Sequence, residues 1–464
     1  RPRSFTYIEN NSQKEQYTSA LFNMKKRVNH QSLMLMAMLS LAVILFIMNT
    51  YSPQHLKKRK VMEQFWKKHN RQRQREAFRG IKNIEMFVKG AFHDPRNKTN
   101  NLIRVWALTT SHKPVIYCHV NIKTTKKNMV VEAIMNVGQE NVPPYCNWHP
   151  SIIRCPLQAG VVPEFVSLST SKSNTTNFWI DVKSPMYNLH KPSSFGICVK
   201  TLSHQSDADV DPLIEWFELN KLVGVNKIII YDTDNCSSNV LSLLHHYQKN
   251  GFLHLQPWPL PVKSLNDGHN VTPGMQCVQY HAELLMRADC LYRFMDEFSH
   301  IGMIDFDEFI IPSGPILLWE DMISKIESDP SSESAAAYSF HEACFNTAAR
   351  GKPFQVGSTK LRSQNYMRLK NLRLINEFGH YFKSIIKTQF VTAMHIHQPV
   401  EVVENYTTII VVNSTFGKLH HYRNGCKYAD GNESLVEDTI INKYSNKLTG
   451  NIKKVKDALK ELPS

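Results

Sequence analysis

The sequence predicts an α/β protein: a parallel-sheet half, preceded by a small β-rich module and by a single apolar segment near the N-terminus. Three observations carry this. From Asp211 onward the chain alternates strand-like and helix-like runs, which implies parallel strands joined by crossover helices. Between residues 101 and 200, short β-branched or aromatic runs are divided by Asn, Pro, Ser and Gly. Ser32–Met48 is apolar, and no charge falls between Gln31 and Gln54.

The apolar segment is long enough to span a thin bilayer. A cleaved signal peptide is the alternative, but the polar leader of residues 1–31 is long for one and no small-x-small cleavage site follows. The division read from the sequence is a cytoplasmic tail at 1–31, a transmembrane signal anchor at 32–50 and a basic stem at 51–100. The β-rich module follows at 101–200, the α/β domain at 201–440 and a C-terminal helix at 441–464.

The net charge of +15 is concentrated in the stem, where Lys57, Lys58, Arg59, Lys60, Lys67, Lys68, Arg71, Arg73, Arg75, Arg79 and Lys82 crowd together. A basic run beside a membrane segment suits acidic headgroups or a solvated stalk. No zinc finger, ribonucleoprotein motif or heptad-linked basic helix is present, so nucleic acid is not expected as a partner. Positive charge on both flanks leaves the anchor's orientation open, and the C-terminal flank alone would favour the cytosol. Asn-x-Ser/Thr sites at Asn97, Asn174, Asn235, Asn270, Asn405, Asn413 and Asn432 favour the secretory lumen. All nine cysteines lie beyond the anchor and none forms a CxxC pair, which speaks against zinc and suits an oxidising compartment. The odd count leaves one unpaired or shared between chains, and a homodimer is compatible with that.

In the α/β half, Asp211-Pro212 opens a helix and Gly224 stops it. Asn226–Tyr231 is a buried strand running into Asp232, Ser238–Asn250 a helix closed by Gly251, and Phe252–Trp258 a second strand. Met275–Phe298 is predicted as one long helix with apolar positions at helical spacing, its Leu and Met stripe belonging to the core. Ile301–Pro312, IGMIDFDEFIIP, comes next and sets Asp305, Asp307 and Glu308 inside an apolar run. Buried carboxylates are costly unless paired or metal-bound. An acidic turn capping the following helix accounts for one Asp, not three. In an extended chain Asp305 and Asp307 face one way and Phe306 the other. Two hard oxygen ligands suit Mg²⁺ or Mn²⁺. Ligands of such sheets bind beyond the carboxyl ends of the strands, where Asp232 and Asp305 both fall.

The stretches WFELNKLVGVNKIIIYDTDN, QYHAELLMRADCLYRF, MIDFDEFIIP, FKSIIK…HIHQP and HHYR, in that order, resemble glycosyltransferase family 92 from about Cys198 to Arg423. The resemblance implies a Rossmann-like GT-A domain, Mn²⁺ or another divalent cation, and a single-pass type II Golgi membrane protein with a lumenal catalytic domain. The implied reaction is β1,4-galactosyl transfer from UDP-galactose onto galactose or core fucose of a glycan acceptor on glycoprotein or glycolipid. Residue by residue, Asp305 and Asp307 match the DxD and His397 would be a third metal ligand. Asp289, Cys290 and Arg293 match a helix ahead of it, with Gln279 nearest a family Gln. Tyr231, Asp232 and Asn235 would meet uracil and ribose. Lys383 and Arg423 would neutralise the diphosphate. An Asn235 glycan would crowd that cleft, so its sequon is predicted to be unused.

A nucleotide sugar is activated by its diphosphate leaving group, and inversion needs a carboxylate to take the acceptor's proton. Glu342 is the candidate base, with Glu377 behind it. The acceptor loop Phe340–Thr347 departs from the family's Gly- and Ser-containing pattern. Two other classes compete. A non-catalytic, lumenal glycan-binding relative would bind glycans without UDP. A haloacid-dehalogenase phosphotransferase would need Thr or Val where Phe309 stands.

Overall fold

The computed structural model describes residues 36–42, 53–81, 84–96, 101–112, 114–125, 127–137, 146–173, 177–186, 192–203, 205–234, 236–265, 275–346, 355–356, 359–360, 371–372, 382–407, 409–423 and 436–460. Most of the apolar run at 32–48 lies outside them. Among the described residues no helix is long and apolar enough to cross a membrane. The chain divides into two units between Gln64 and Phe65, and both large sheets belong to the second.

The protein is mixed α/β. The first large sheet is the β-rich module, centred on β1 (Met86–Asp94), β2 (Asn101–Thr109) and β3 (Cys146–Leu157), paired antiparallel in the order β1-β2-β3. Its strands begin inside the stretch read as stem, because Met86, Val88, Ala91 and Phe92 are buried and offer a sheet its apolar face. The Cys118–Cys155 disulfide closes the module's own core.

The second sheet starts with β4 (Phe195–Ser203), which lies in the segment assigned by sequence to the module. It pairs in parallel with β5 (Lys227–Asp234), and β5 in parallel with β6 (Leu253–Pro257). The crossovers are helices α1 (Val210–Leu222) and α2 (Ser238–Lys249). Helix α1 ends ahead of Gly224, whose φ of +94° is open to glycine at little cost. Ser237 caps α2 through the Val240 amide.

The long helix predicted over Met275–Phe298 is corrected. Met275–Gln279 is a strand, β7, and only Glu283–Phe294 is helix, α3. The cause lies in distant residues. Strand β7 pairs in parallel with β3 of the module, and Cys277 is bonded to Cys146 on that strand. The α/β half thus contributes a strand to its neighbour's sheet. Tyr280, His281 and Ala282 then turn the chain with φ of 46°, 56° and 57°.

Strand β8 (His300–Met303) runs parallel to β4, so β6, β5, β4 and β8 end on one side of the sheet. The acidic run leaves β8, turns, and returns as β9 (Glu308–Pro312). It is therefore two strands rather than one. The remaining strands, β10 (Ala337–Asn346), β11 (Phe382–Lys387) and β12 (Gly417–Arg423), complete the order β6-β5-β4-β8-β11-β10-β12-β9. Helix α4 (Trp319–Glu327) packs so closely beneath β8 that a Cβ on Gly302 would lie 2.8 Å from the Trp319 ring. Helix α5 (Ser445–Lys460) buries Leu448, Ile452 and Val455 against the same core.

Apolar cores cover both faces of this sheet. One face carries Trp216, Phe217, Tyr247 and Trp319, and the other carries Ile229, Tyr231, Leu285 and Ile301 together with Phe92 and Trp106 of the module. Asp94 of the module adds a buried ion network to that second contact. It takes Arg96 at 2.8 Å, Arg104 at 3.0 Å and the Tyr292 hydroxyl of α3 at 2.5 Å. Burial resists its ionisation, but the two guanidiniums hold its carboxyl well below the usual range.

Candidate active site

The turn between β8 and β9 carries the acids to the carboxyl end of the parallel strands. It is fixed from within: the Asp305 amide donates to Glu308 Oε2 at 2.8 Å, and the Glu308 amide to the Asp305 carbonyl at 3.1 Å. Phe306 turns toward the core and meets Trp216 at 5.1 Å between ring centroids. The Trp216 indole in turn donates to the Glu308 carbonyl at 3.2 Å. Because 305–307 is a turn and not a strand, Asp305 and Asp307 reach different partners.

Asp305 faces cations. Lys383, on β11, places its ammonium 2.8 Å from Asp305 Oδ2 and 3.1 Å from Glu308 Oε2. Arg287 of α3 lies 3.6 Å from Oδ1, and Lys200, at the end of β4, lies 3.8 Å from Oδ2. Burial disfavours the Asp305 charge, but Lys383, then Lys200 and Arg287, hold the carboxyl well below the usual range. Glu308, nearly inaccessible, is pushed up by burial despite Lys383. Burial opposes the Lys383 charge as well, and the two carboxylates more than restore it.

Asp307 faces solvent and an imidazole. Its side chain is 45% exposed, and Oδ2 lies 3.3 Å from His421 Nε2 on β12. The other ring nitrogen, Nδ1, lies 2.5 Å from Glu342 Oε1 on β10 and 3.8 Å from Glu308. Burial opposes protonation of His421, but Asp307 and Glu342 raise its pKa to about 9. The register that makes this possible is parallel pairing of β10 with β12, with Cys344 opposite His421 and Glu342 opposite Leu419.

The structure divides the residues singled out from sequence into two groups. Asp305, Asp307, Lys383 and Glu342 come together, the last through His421. Arg423 shares the strand face of His421, two residues on. His397 lies in the turn after Met394, where burial, Lys383 and Arg287 lower its pKa to about 4. Its carbonyl takes the Ser384 hydroxyl at 3.4 Å. Among the described residues no three His, Cys, Asp or Glu side chains form a ready-made metal cage. His421 is the imidazole touching Asp307, while His397 feels the charges of Lys383, Arg287 and Asp305. Asp232 lies on β5 opposite Pro257. Asn235 and Glu377 lie outside the described residues.

Tyr231 and Arg293 belong to a different cluster. The Tyr231 hydroxyl donates to Asp289 at 2.7 Å, and Arg293 donates to both Asp289 oxygens at 2.8 and 3.0 Å. Arg293 also reaches Glu76, which pairs with Lys89 of the module at 3.5 Å. Both side chains therefore fasten α3 to β5 and to the module. Cys290 on the same helix is bonded to Cys198 of β4.

Sequence reasoning missed His421, Arg287 and Lys200. His421 stood in the quoted HHYR stretch without a role. Arg287 carried one local signal, Glu283 four residues earlier, the spacing of a helical ion pair. Lys200 was hidden because its strand had been given to the module.

The donor set fits a divalent cation by its chemistry. Asp305 Oδ1 is buried with no hydrogen-bond donor among the described residues, and Asp307 offers exposed carboxylate oxygen beside it in sequence.

Residues 193–461, well over half the chain, match Glycosyltransferase family 92. The chain is 25% identical over 368 residues to the protein named beta-1,4-galactosyltransferase galt-1 of Caenorhabditis elegans, covering 76% of this chain and 77% of that one. It is also 25% identical over 142 residues to the glycosyltransferase family 92 protein F55C10.4 of the same organism, covering 31% and 26% respectively. With an acidic turn at the carboxyl ends of parallel strands and a match across the whole of that sheet, the chain belongs to glycosyltransferase family 92 and is a glycosyltransferase.

Proposed function

We propose that the protein is a metal-dependent, inverting β1,4-galactosyltransferase with a GT-A catalytic domain. Its donor is UDP-galactose and its acceptor a galactose or fucose hydroxyl on a glycan. It works in the Golgi lumen as a single-pass type II membrane protein, anchored by the apolar segment. The observation that carries the reading is the division of labour around the DxD. One acid is buried among cations, the other is exposed beside His421, which also holds Glu342, and the relative matched over three quarters of the chain bears a galactosyltransferase name. Disulfides such as Cys118–Cys155 and Cys198–Cys290 support an oxidising compartment.

Asp305 and Asp307 are the residues that would hold the cation. Bound there, a divalent ion supplies electrostatic stabilisation of the departing diphosphate. Lys383, expected from sequence to face that diphosphate, spends its ammonium on Asp305 and Glu308 and so keeps Asp305 charged and both acids in place. Arg423 lies on the cleft-facing side of β12, where a guanidinium meets anionic oxygen. Glu342 takes the acceptor hydroxyl's proton, and His421 fixes the orientation of that carboxylate through Nδ1.

The test is a donor screen of the purified protein on a glycan array, with Mn²⁺ and with chelator. Galactose transfer from UDP-galactose onto terminal galactose or core fucose, abolished by chelator, is the expected result. Preference for another sugar nucleotide overturns the galactose assignment, and undiminished transfer in chelator overturns the metal.

A further inference from the structure

Two buried polar atoms beside the acid turn lack hydrogen-bond partners among the described residues, and they are of opposite kind. Asp305 Oδ1 receives no donor, and Arg287 Nη1 finds no acceptor. They belong to side chains only 3.6 Å apart, measured from Arg287 Nη2 to that same Oδ1. Leaving a charged donor or acceptor buried and unmet is costly. What sets these two apart is that they belong to oppositely charged side chains paired at the acid turn. A cation-chelated anion satisfies both at once, the cation on the carboxylate oxygen and the anionic oxygen on the guanidinium.

Arg287 is also built to wait. Its side chain is 4% exposed. Glu283 Oε1 takes Nε at 2.9 Å and Nη2 as well, so the guanidinium is clamped along one edge and Nη1 is left over. Helix α3 carries both residues, and three successive non-glycine residues in the left-handed region precede it. That conformation is strained for residues that carry a Cβ. It persists because the Trp258 indole donates to the His281 carbonyl at 2.9 Å and the His281 amide donates to Ser264 Oγ at 2.9 Å. The turn redirects the chain from the module's sheet, where β7 pairs, to the acid turn, where Arg287 is needed. Strain maintained by specific bonds next to a charged cleft is a mark of a positioning device. Lys200, 47% exposed and 3.8 Å from Asp305 Oδ2, adds a second cation to the same carboxylate.

We propose that Arg287 is a ligand of the donor's diphosphate, set in place by the Glu283 clamp and the left-handed turn Tyr280–Ala282. This rests on the nucleotide-sugar reading of the acid turn. A planar fork suits phosphate oxygens better than a lysine's point charge does.

The experiment is calorimetric titration of the full chain with UDP and with uridine, Mn²⁺ present, alongside thermal melts. Arg287→Lys keeps the charge that Glu283 and Asp305 require, so it should melt near the wild type. It should bind UDP about tenfold or more weakly, with uridine unaffected. Ala282→Gly removes the turn's steric cost, should be at least as stable, and should lose several-fold in UDP affinity as α3 gains freedom. Wild-type UDP affinity in folded Arg287→Lys overturns the proposal. Should that variant fail to fold, wild-type affinity in Ala282→Gly overturns it instead. A wild-type protein that ignores UDP removes the nucleotide-sugar reading and this one together, whereas variants that match a UDP-binding wild type remove only this one.

Discussion

The two aspartates of one short turn lead different lives. Asp305 is enclosed, with Lys383, Arg287 and Lys200 around it and Glu308 sharing its ammonium. Asp307 stands at the surface and touches one titratable ring. The enclosed side is a charge lattice in which removing any member strands another in low dielectric. The exposed side owes little to packing and is free to exchange partners. Substitutions that delete a charge on the first should therefore register in stability, and substitutions on the second in turnover.

The largest expected effect is Asp307→Ala. Galactosyl transfer should fall by roughly 10³-fold, toward background, while the protein stays folded and loses only the stability that the His421 pair supplies. A folded variant with wild-type turnover breaks the comparison outright. Next is Lys383→Met, which leaves Asp305 and Glu308 buried without their cation. A loss of about 3–5 kcal/mol in denaturant unfolding is expected. A change under about 1 kcal/mol would show that the enclosed side is wetter than described. Glu342→Gln should lower kcat by roughly 10²-fold with little change in the KM for UDP-galactose. An effect on KM alone would return Glu342 to a binding role.

The smallest effect is a pH dependence. The folded pKa of His421 is raised from 6.5 to about 9. Its contribution to stability is therefore complete below pH 6.5 and is lost as pH rises through 9. In chelator, the melting temperature should drift down by a few degrees over that window, and His421→Asn should flatten the drift. An identical slope in the variant would assign the titration elsewhere.

Much of this was legible in the sequence where the signal is local. The alternation of strands and helices after Asp211 rests on periodicity within about ten or fifteen residues, and the acid turn announced itself by standing inside an apolar frame. What was hidden depends on residues far along the chain. Nothing within Met275–Gln279 says that its partner is Cys146–Trp148, so helical spacing won and the strand was missed. Tyr231 sits near a strand end, which reads as cleft-facing, but its hydroxyl is taken by Asp289, 58 residues later. His421 could not be preferred over His395 or His397 by spacing, because what selects it is Glu342, 79 positions earlier.

The strand lent to the neighbouring sheet has a consequence for what counts as a unit here. The match to the family model opens at residue 193, yet Met275–Gln279 inside it is stitched by Cys277 to Cys146, well upstream of that boundary. A fragment trimmed to the family match would carry every acid and base of the site. It would still lose the anchorage that aims the Arg287 helix, and an unmatched thiol would stand where the seam had been.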